Sequence, residues 1–226
     1  MKQIFQFAIS ICLFMVLASP TVAADYRVEM IEDGPSADDL SEEISAALAD
    51  SGYQVIRGKK RSIGKIWLCK ELPVAADFVA TDEVLYPFTP GQLIGVIQFK
   101  RKSPDFRDHI LTRGTYILRY GQQPVDGNHE GTSPTRDFLM LTRAEDDRTL
   151  AGPDAKTLIA QSADAAGSNH PAMLCLQAAS EADEVPSLRH DEDREWSILQ
   201  LEGQAKADGE SQPIRIDIVV VGQAAE

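Results

Sequence analysis

The chain is poor in cysteine, in aromatic residues and in basic charge. Its 226 residues include 3 cysteines, and aromatics make up 7%. Against 22 lysines and arginines stand 35 acidic residues, a formal net charge of −13. So few cysteines, none in a CxxC pair, exclude a disulfide-dense scaffold and speak against a structural zinc site. The acidic balance excludes a polycationic nucleic-acid surface and disfavours an anionic membrane. The sequence also lacks a GxSxG elbow, a P-loop, HExxH and GxGxxG, and with them the hydrolase, nucleotide and metalloprotease chemistries those motifs support. It has no internal repeat and no low-complexity stretch. Beyond residue 24, no apolar run is long enough to cross a bilayer. What is present is a 43% hydrophobic share, enough for a packed core and too much for global disorder.

The first residues, MKQIFQFAISICLFMVLASPTVAA, have the order of a secretory signal peptide. Lys2 supplies the charged start, Ile4 to Leu17 the apolar stretch, and Val22-Ala23-Ala24 a small-residue cleavage site. A retained anchor is the alternative, but the apolar run is short for a span. Residues 1–24 are therefore expected to be removed, and the mature protein to be periplasmic or secreted. Cys69 and Cys175 then remain, in the apolar runs IWLCKEL and AMLCLQA. An oxidising compartment permits a bridge between them, and two buried free thiols fit the same runs.

Residues 25–226 are read as a single antiparallel β-sandwich domain that begins with a helix-hairpin segment over about 25–72. A helix is expected over Ser36 to Asp50, capped by Ser36, with Leu40, Ile44, Ala47 and Leu48 on one face. Strands Tyr53 to Ile56 and Ile63 to Lys70 flank the turn RGKKRS. That turn gathers Arg57, Lys59, Lys60 and Arg61, either as an anion or partner patch or as a solvated turn that keeps a sheet edge from pairing. Leu72 to Pro90 reads as irregular, and Gln92 to Phe99 as a strand. A second helix is expected over Pro153 to Ala166, stopped by Gly167, and a strand over Ala172 to Ala178. Glu181 to Glu195 reads as an acidic loop. Glu195 to Lys206 and Pro213 to Val221 read as a closing hairpin around Asp208-Gly209. Strands that follow one another through turns, without βαβ units, give mainly antiparallel sheets.

The most informative stretch is Arg113 to Arg143. Gly114 to Tyr120 alternates with a period of two, and Asp137 to Thr142 is apolar on both sides, as an inner strand is. Between them, GQQPVDGNHEGTSPTR carries Asp126, Asn128, His129, Glu130, Ser133 and Arg136, and ends at Asp137. It is either a binding loop held up by two stiff strands or an ordered Ω-type connection whose Asp and Asn side chains satisfy its own backbone. Asp126, Asn128, His129, Arg136 and Asp137 are the candidate ligand-binding residues. His129 and His170 sit in the similar contexts DGNHEG and GSNHPA. With Asp126 or Glu130 they would suit zinc, copper or iron if the two loops meet. His129 with Asp126 or Asp137 could instead polarise Ser133, and Asp108 beside His109 is a weaker acid–base pair. Arg136 offers a guanidinium fork to a ligand carboxylate or to its neighbour Asp137.

The strand GTYILRYG resembles the GTYxLxY strand of secreted transthyretin-like and carboxypeptidase-regulatory-like β-sandwich modules. The longer block GTYILRYGQQPVDGNHEGTSPTRDFLML resembles one in exported bacterial proteins without an assigned activity. The resemblance implies a β-sandwich with the loop as a unit, and it carries no catalytic residue. The function expected is non-enzymatic: binding of a small ligand or an envelope protein through residues 121–137, with no cofactor. The alternative is a metal-binding protein or metal-dependent hydrolase using His129 and His170.

Overall fold

The computed structural model describes residues 26–36, 39–125, 133–180 and 184–224. In chain order the elements are β1 (Tyr26–Ile31), α1 (Glu42–Ala47), β2 (Gly52–Arg57), β3 (Arg61–Leu68), β4 (Leu72–Pro73), β5 (Leu93–Phe99), β6 (Ser103–Pro104) and β7 (Ile110–Leu111). Then follow β8 (Gly114–Gln122), β9 (Asp137–Arg143), α2 (Ala155–Ala166), β10 (Met173–Gln177), β11 (Ser187–Asp191), β12 (Trp196–Ala207) and β13 (Glu210–Val221). The chain is mainly β, as expected.

One curled sheet runs in the order β1-β2-β3-β5-β8-β9-β10-β13-β12-β11, and β6 and β7 form a separate pair. Among the described residues, the pairings are antiparallel except for the short β4, which runs parallel to β12 through Leu72 and Pro73. The sheet turns at β10, where Met173 to Cys175 pair with β9 while Leu176 and Gln177 pair with β13. Curling brings the edge strands β1 and β11 together without hydrogen-bonded pairing. The result is sandwich-like, with the two halves of one sheet facing each other.

Alternation explains what fills the space between the halves. Leu118 of β8, Leu139 and Leu141 of β9, Leu174 and Leu176 of β10, Leu199 and Leu201 of β12, and Ile216 and Ile218 of β13 belong to one continuous core. Burying each contributes about 1.5–3 kcal/mol. The opposite faces of β9, β10, β12 and β13 place Phe138, Cys175, Ile198 and Val219 in a second cluster with Phe106 and Trp196. This is why β9 is apolar on both sides. Cys69 and Cys175 are buried free thiols, and burial pushes them up to about 12 and about 11.

Several elements differ from their expected bounds. The first helix is one and a half turns long because Ser41, not Ser36, caps it: its Oγ accepts from the Ile44 amide at 3.2 Å. It stops at Ala47 because Leu48 bridges Cys69 and the Ala49 amide donates to Leu68 at 2.9 Å, so the chain pairs with the end of β3. The second helix is capped by Asp154, whose Oδ1 accepts from Lys156 and Thr157 at 3.0 and 3.1 Å, leaving Pro153 outside. Gly167 ends it in the left-handed region at φ 63°, where a side chain would be strained. The expected acidic loop over Glu181 to Glu195 contains β11, paired with β12 from Ser187 to Asp191. Arg119 of β8 is fully buried, its guanidinium held by both Asp147 oxygens at 2.7 Å and by the carbonyls of Gly91, Thr149 and Leu150.

Candidate ligand-binding site

Residues 121–137 connect β8 to β9 at one end of the sheet. Asp126, Asn128, His129 and Glu130 lie outside the described residues. The stem of the connection is closed on both sides. The Gln123 amide donates to the Arg136 carbonyl at 2.8 Å, and Arg136 Nε donates back to the Gln123 carbonyl at 2.8 Å. The Arg136 amide donates to the Glu83 carbonyl at 2.8 Å, and its guanidinium lies 3.9 Å from the Glu83 carboxylate. Arg136 therefore fixes the stem through Gln123 and Glu83, where a pairing with Asp137 had been one expectation.

Asp137 is fully buried. Its Oδ1 accepts from the Tyr120 hydroxyl, and its Oδ2 accepts from the Leu85 amide at 2.9 Å. It ties the irregular segment before β5 to the start of β9. Burial raises its pKa above the ordinary carboxylate value, and the donors from Tyr120, Leu85 and Tyr86 only partly offset this. Burial likewise raises Tyr120. Asp137 is thus a positioning group at the start of β9, its carboxylate oxygens bonded within the protein. Ser133 places its Oγ 3.0 Å from Cys175 Sγ and makes no contact with a base among the described residues.

Beside the stem, a cavity of about 330 Å³ opens between α2 and the ends of β8 and β9. Its apolar lining comes from Phe138 and Met140 of β9, Met173 of β10, and Leu158 and Ile159 of α2. The polar groups on it are few: the stem residues Gln122 and Gln123, with Arg107 and His170. This is the composition of a small-molecule site, an apolar surface with a few orienting groups. Ile159 of α2 is 49% exposed and borders this cavity. A Cβ at Gly121 would lie 2.8 Å from the Met140 methyl, so a side chain there would push the end of that methionine aside. A larger and more open depression of about 730 Å³ lies beside Trp196, Ser133 and Pro134.

His170 is exposed, its amide donating to Ser168 Oγ at 3.2 Å, and it lines the cavity. Its distance from His129 falls outside the described residues. His109 pairs with Asp105 at 3.1 Å, not with Asp108, which sits in the left-handed region at φ 63°. Asp105 is buried and also accepts from the amides of Arg107, His109 and Met173, at 2.9, 2.8 and 3.1 Å. It thereby holds the Arg107 backbone at the cavity rim.

Sequence reasoning missed a second polar cluster. Gln177, Asp217, Gln200 and Ser187 occupy successive register positions across β10, β13, β12 and β11. Gln200 Nε2 donates to Asp217 Oδ2 at 3.2 Å, Arg189 approaches the same oxygen at 3.6 Å, and the Tyr86 hydroxyl accepts from the Asp217 amide at 2.9 Å. Burial raises Asp217 above the ordinary carboxylate value. The only signal was a short polar row in otherwise apolar strands, which reads equally well as a solvent face. Arg107 was likewise passed over, since nothing in its neighbourhood marks a cavity rim. No protein-family model, curated protein or solved structure matches this chain.

Proposed function

We propose that the protein is an exported, non-enzymatic β-sandwich module that binds a small ligand with an apolar body in the cavity beside residues 121–137. Export rests on the N-terminal sequence. The observation that carries the binding reading is the cavity between α2 and the loop stem, whose apolar lining of Phe138, Met140, Leu158, Ile159 and Met173 stays open next to a hydrogen-bonded stem. A stem fixed by Gln123, Arg136 and Asp137 is preorganised, which lowers the ordering cost of binding. Arg107 lines the cavity, and its guanidinium, with no carboxylate partner among the described residues, would orient an acceptor or anionic group of the ligand.

The test uses 1-anilinonaphthalene-8-sulfonate, an apolar ring system with one anionic group. Titration into the native protein should give a saturable fluorescence rise at one site per chain. Ile159→Glu, at a half-exposed position, should weaken binding about tenfold or more while leaving the melting temperature nearly unchanged, since it puts a charge against an apolar surface. Binding that is absent in the parent protein, or indifferent to Ile159→Glu, would sink the reading.

A further inference from the structure

The basic turn between β2 and β3 plays no part in the cavity at α2. Its Arg57 and Arg61 are direct register partners across the hairpin. Like charges placed opposite each other in an antiparallel pair are destabilising by themselves. The chain brings two more cations to the same place: Arg101 and Lys102, from the segment after β5, line one concavity of about 220 Å³ with Arg57 and Arg61. None of these four side chains has a carboxylate partner among the described residues, although the protein as a whole is strongly acidic. The acid that borders the concavity, Asp105, is already occupied by His109 and by backbone amides.

The hairpin is also held in shape. Arg27 donates to the Gly58 and Lys59 carbonyls of the turn, and Gly58 takes the positive φ of 58° that the turn requires. Arg57 lies over the Tyr26 ring, 5.7 Å from its centroid, so one face of the guanidinium is packed and its edge is free. A solvated turn of the kind that blocks edge pairing needs no cations from a distant segment. Convergence of four of them around a concave surface is the arrangement that recognises phosphate oxygens, for which the guanidinium fork is geometrically matched.

We propose that this concavity binds a compact ligand bearing two or more phosphate groups. Its volume lies below the roughly 300–1,000 Å³ of drug-sized pockets, which favours a short polyanion over a nucleotide-sized molecule. No residue lines both this concavity and the cavity at α2, so the two proposals stand or fall separately. The phosphates could belong to a free diphosphate or to a lipid headgroup, and the experiment separates these sources.

The native protein is titrated calorimetrically with sodium pyrophosphate at low ionic strength. In parallel it is co-sedimented with phosphatidylcholine vesicles with and without diacylglycerol pyrophosphate. Two double variants accompany it: Arg61→Ala with Arg101→Ala removes charge from the concavity, and Lys59→Ala with Lys60→Ala removes the same charge from the turn outside it. All four positions are exposed, so both variants keep the parent fold, which a melting curve verifies. The expected result is saturable one-to-one binding of pyrophosphate that the arginine variant weakens about tenfold or more, the loss of charge-assisted hydrogen bonds. The lysine variant should stay within about twofold, because its charges act only through screened solvent. Binding confined to the pyrophosphate-bearing vesicles, with the same dependence on the arginines, would assign the site to a lipid headgroup. Absence of saturable binding in both arms, or equal weakening by the two double variants, overturns the proposal.

Discussion

Asp217 carries a carboxylate into the sheet, 1% exposed, and gives all its described contacts to one oxygen. Oδ2 takes Gln200 at 3.2 Å, the Ser180 amide and hydroxyl at 3.4 Å and Arg189 at 3.6 Å, while Oδ1 has no hydrogen-bond partner. Burial therefore dominates and raises its pKa from 3.8, as it does that of Asp137. A carboxyl with a raised folded value binds its proton more tightly in the native state than in the unfolded one. The contribution of these two carboxyls to native stability is then greatest at or below the ordinary carboxylate range and declines as pH rises from 3.8 through the raised values. Asp217→Asn keeps the accepting oxygen and places an amide where Oδ1 is unpartnered. It should change stability at neutral pH by no more than about 1 kcal/mol and remove the Asp217 share of the decline. Urea unfolding at several pH values measures both, and an unaltered pH slope in the variant would refute the assignment. Alternation of Ile214, Ile216 and Ile218 correctly marks a core face in the sequence. The same alternation assigns Asp217 to solvent, because a pattern of period two cannot say whether the second face is also covered. Arg119 misleads for the same reason: its partner Asp147 is 28 residues away, beyond β9.

Among the elements, the pair β8 and β9 was the easiest to read, since Tyr116 to Tyr120 and Phe138 to Leu141 combine β-branched, aromatic and leucine side chains at strand spacing. The hairpin of β12 and β13 was equally plain from Asp208-Gly209. By contrast β11 is five polar-rich residues, SLRHD, that become a strand only because β12 is there to pair with them. Tertiary pairing, and not local preference, makes that strand. The two-residue strands β4, β6 and β7 carry no readable period at all. The cavity at α2 was hidden because Leu158, Ile159 and Met140 read as ordinary core. The element most sensitive to a single atom is the join of β3 and β5. Gly95 lies at a register shift, and a Cβ built there would stand 2.1 Å from the Trp67 carbonyl oxygen and 3.0 Å from the Leu68 Cα. Both obstacles are backbone, so neither can rotate away. Gly95→Ala should cost at least about 2 kcal/mol by forcing β3 and β5 apart, and a thermal melt would show it. A variant as stable as the parent would mean that the two strands are not packed this closely.

At the scale of the molecule, the sheet is continuous but its strands are unequally protected. At its centre, β8, β9 and β10 have partners on both sides, and β9 and β10 contribute to both apolar clusters. At its ends, β1 and β11 each have one paired side, and most of their residues are partly or fully accessible. They approach each other without closing a ladder, which shields the edges from other chains but adds no hydrogen bonds between them. Local opening follows the number of buried contacts and shared backbone bonds that must be lost. Amide hydrogen exchange followed by mass spectrometry should therefore show β1 and β11 exchanging first and β8 to β10 last. The strands that border the proposed α2 cavity would then belong to the least mobile part of the fold, as a rigid support for a ligand requires. If β8 and β9 exchanged as fast as β1, the sheet could not serve as that support, and residues 121–137 would lack the fixed stem on which the binding proposal depends.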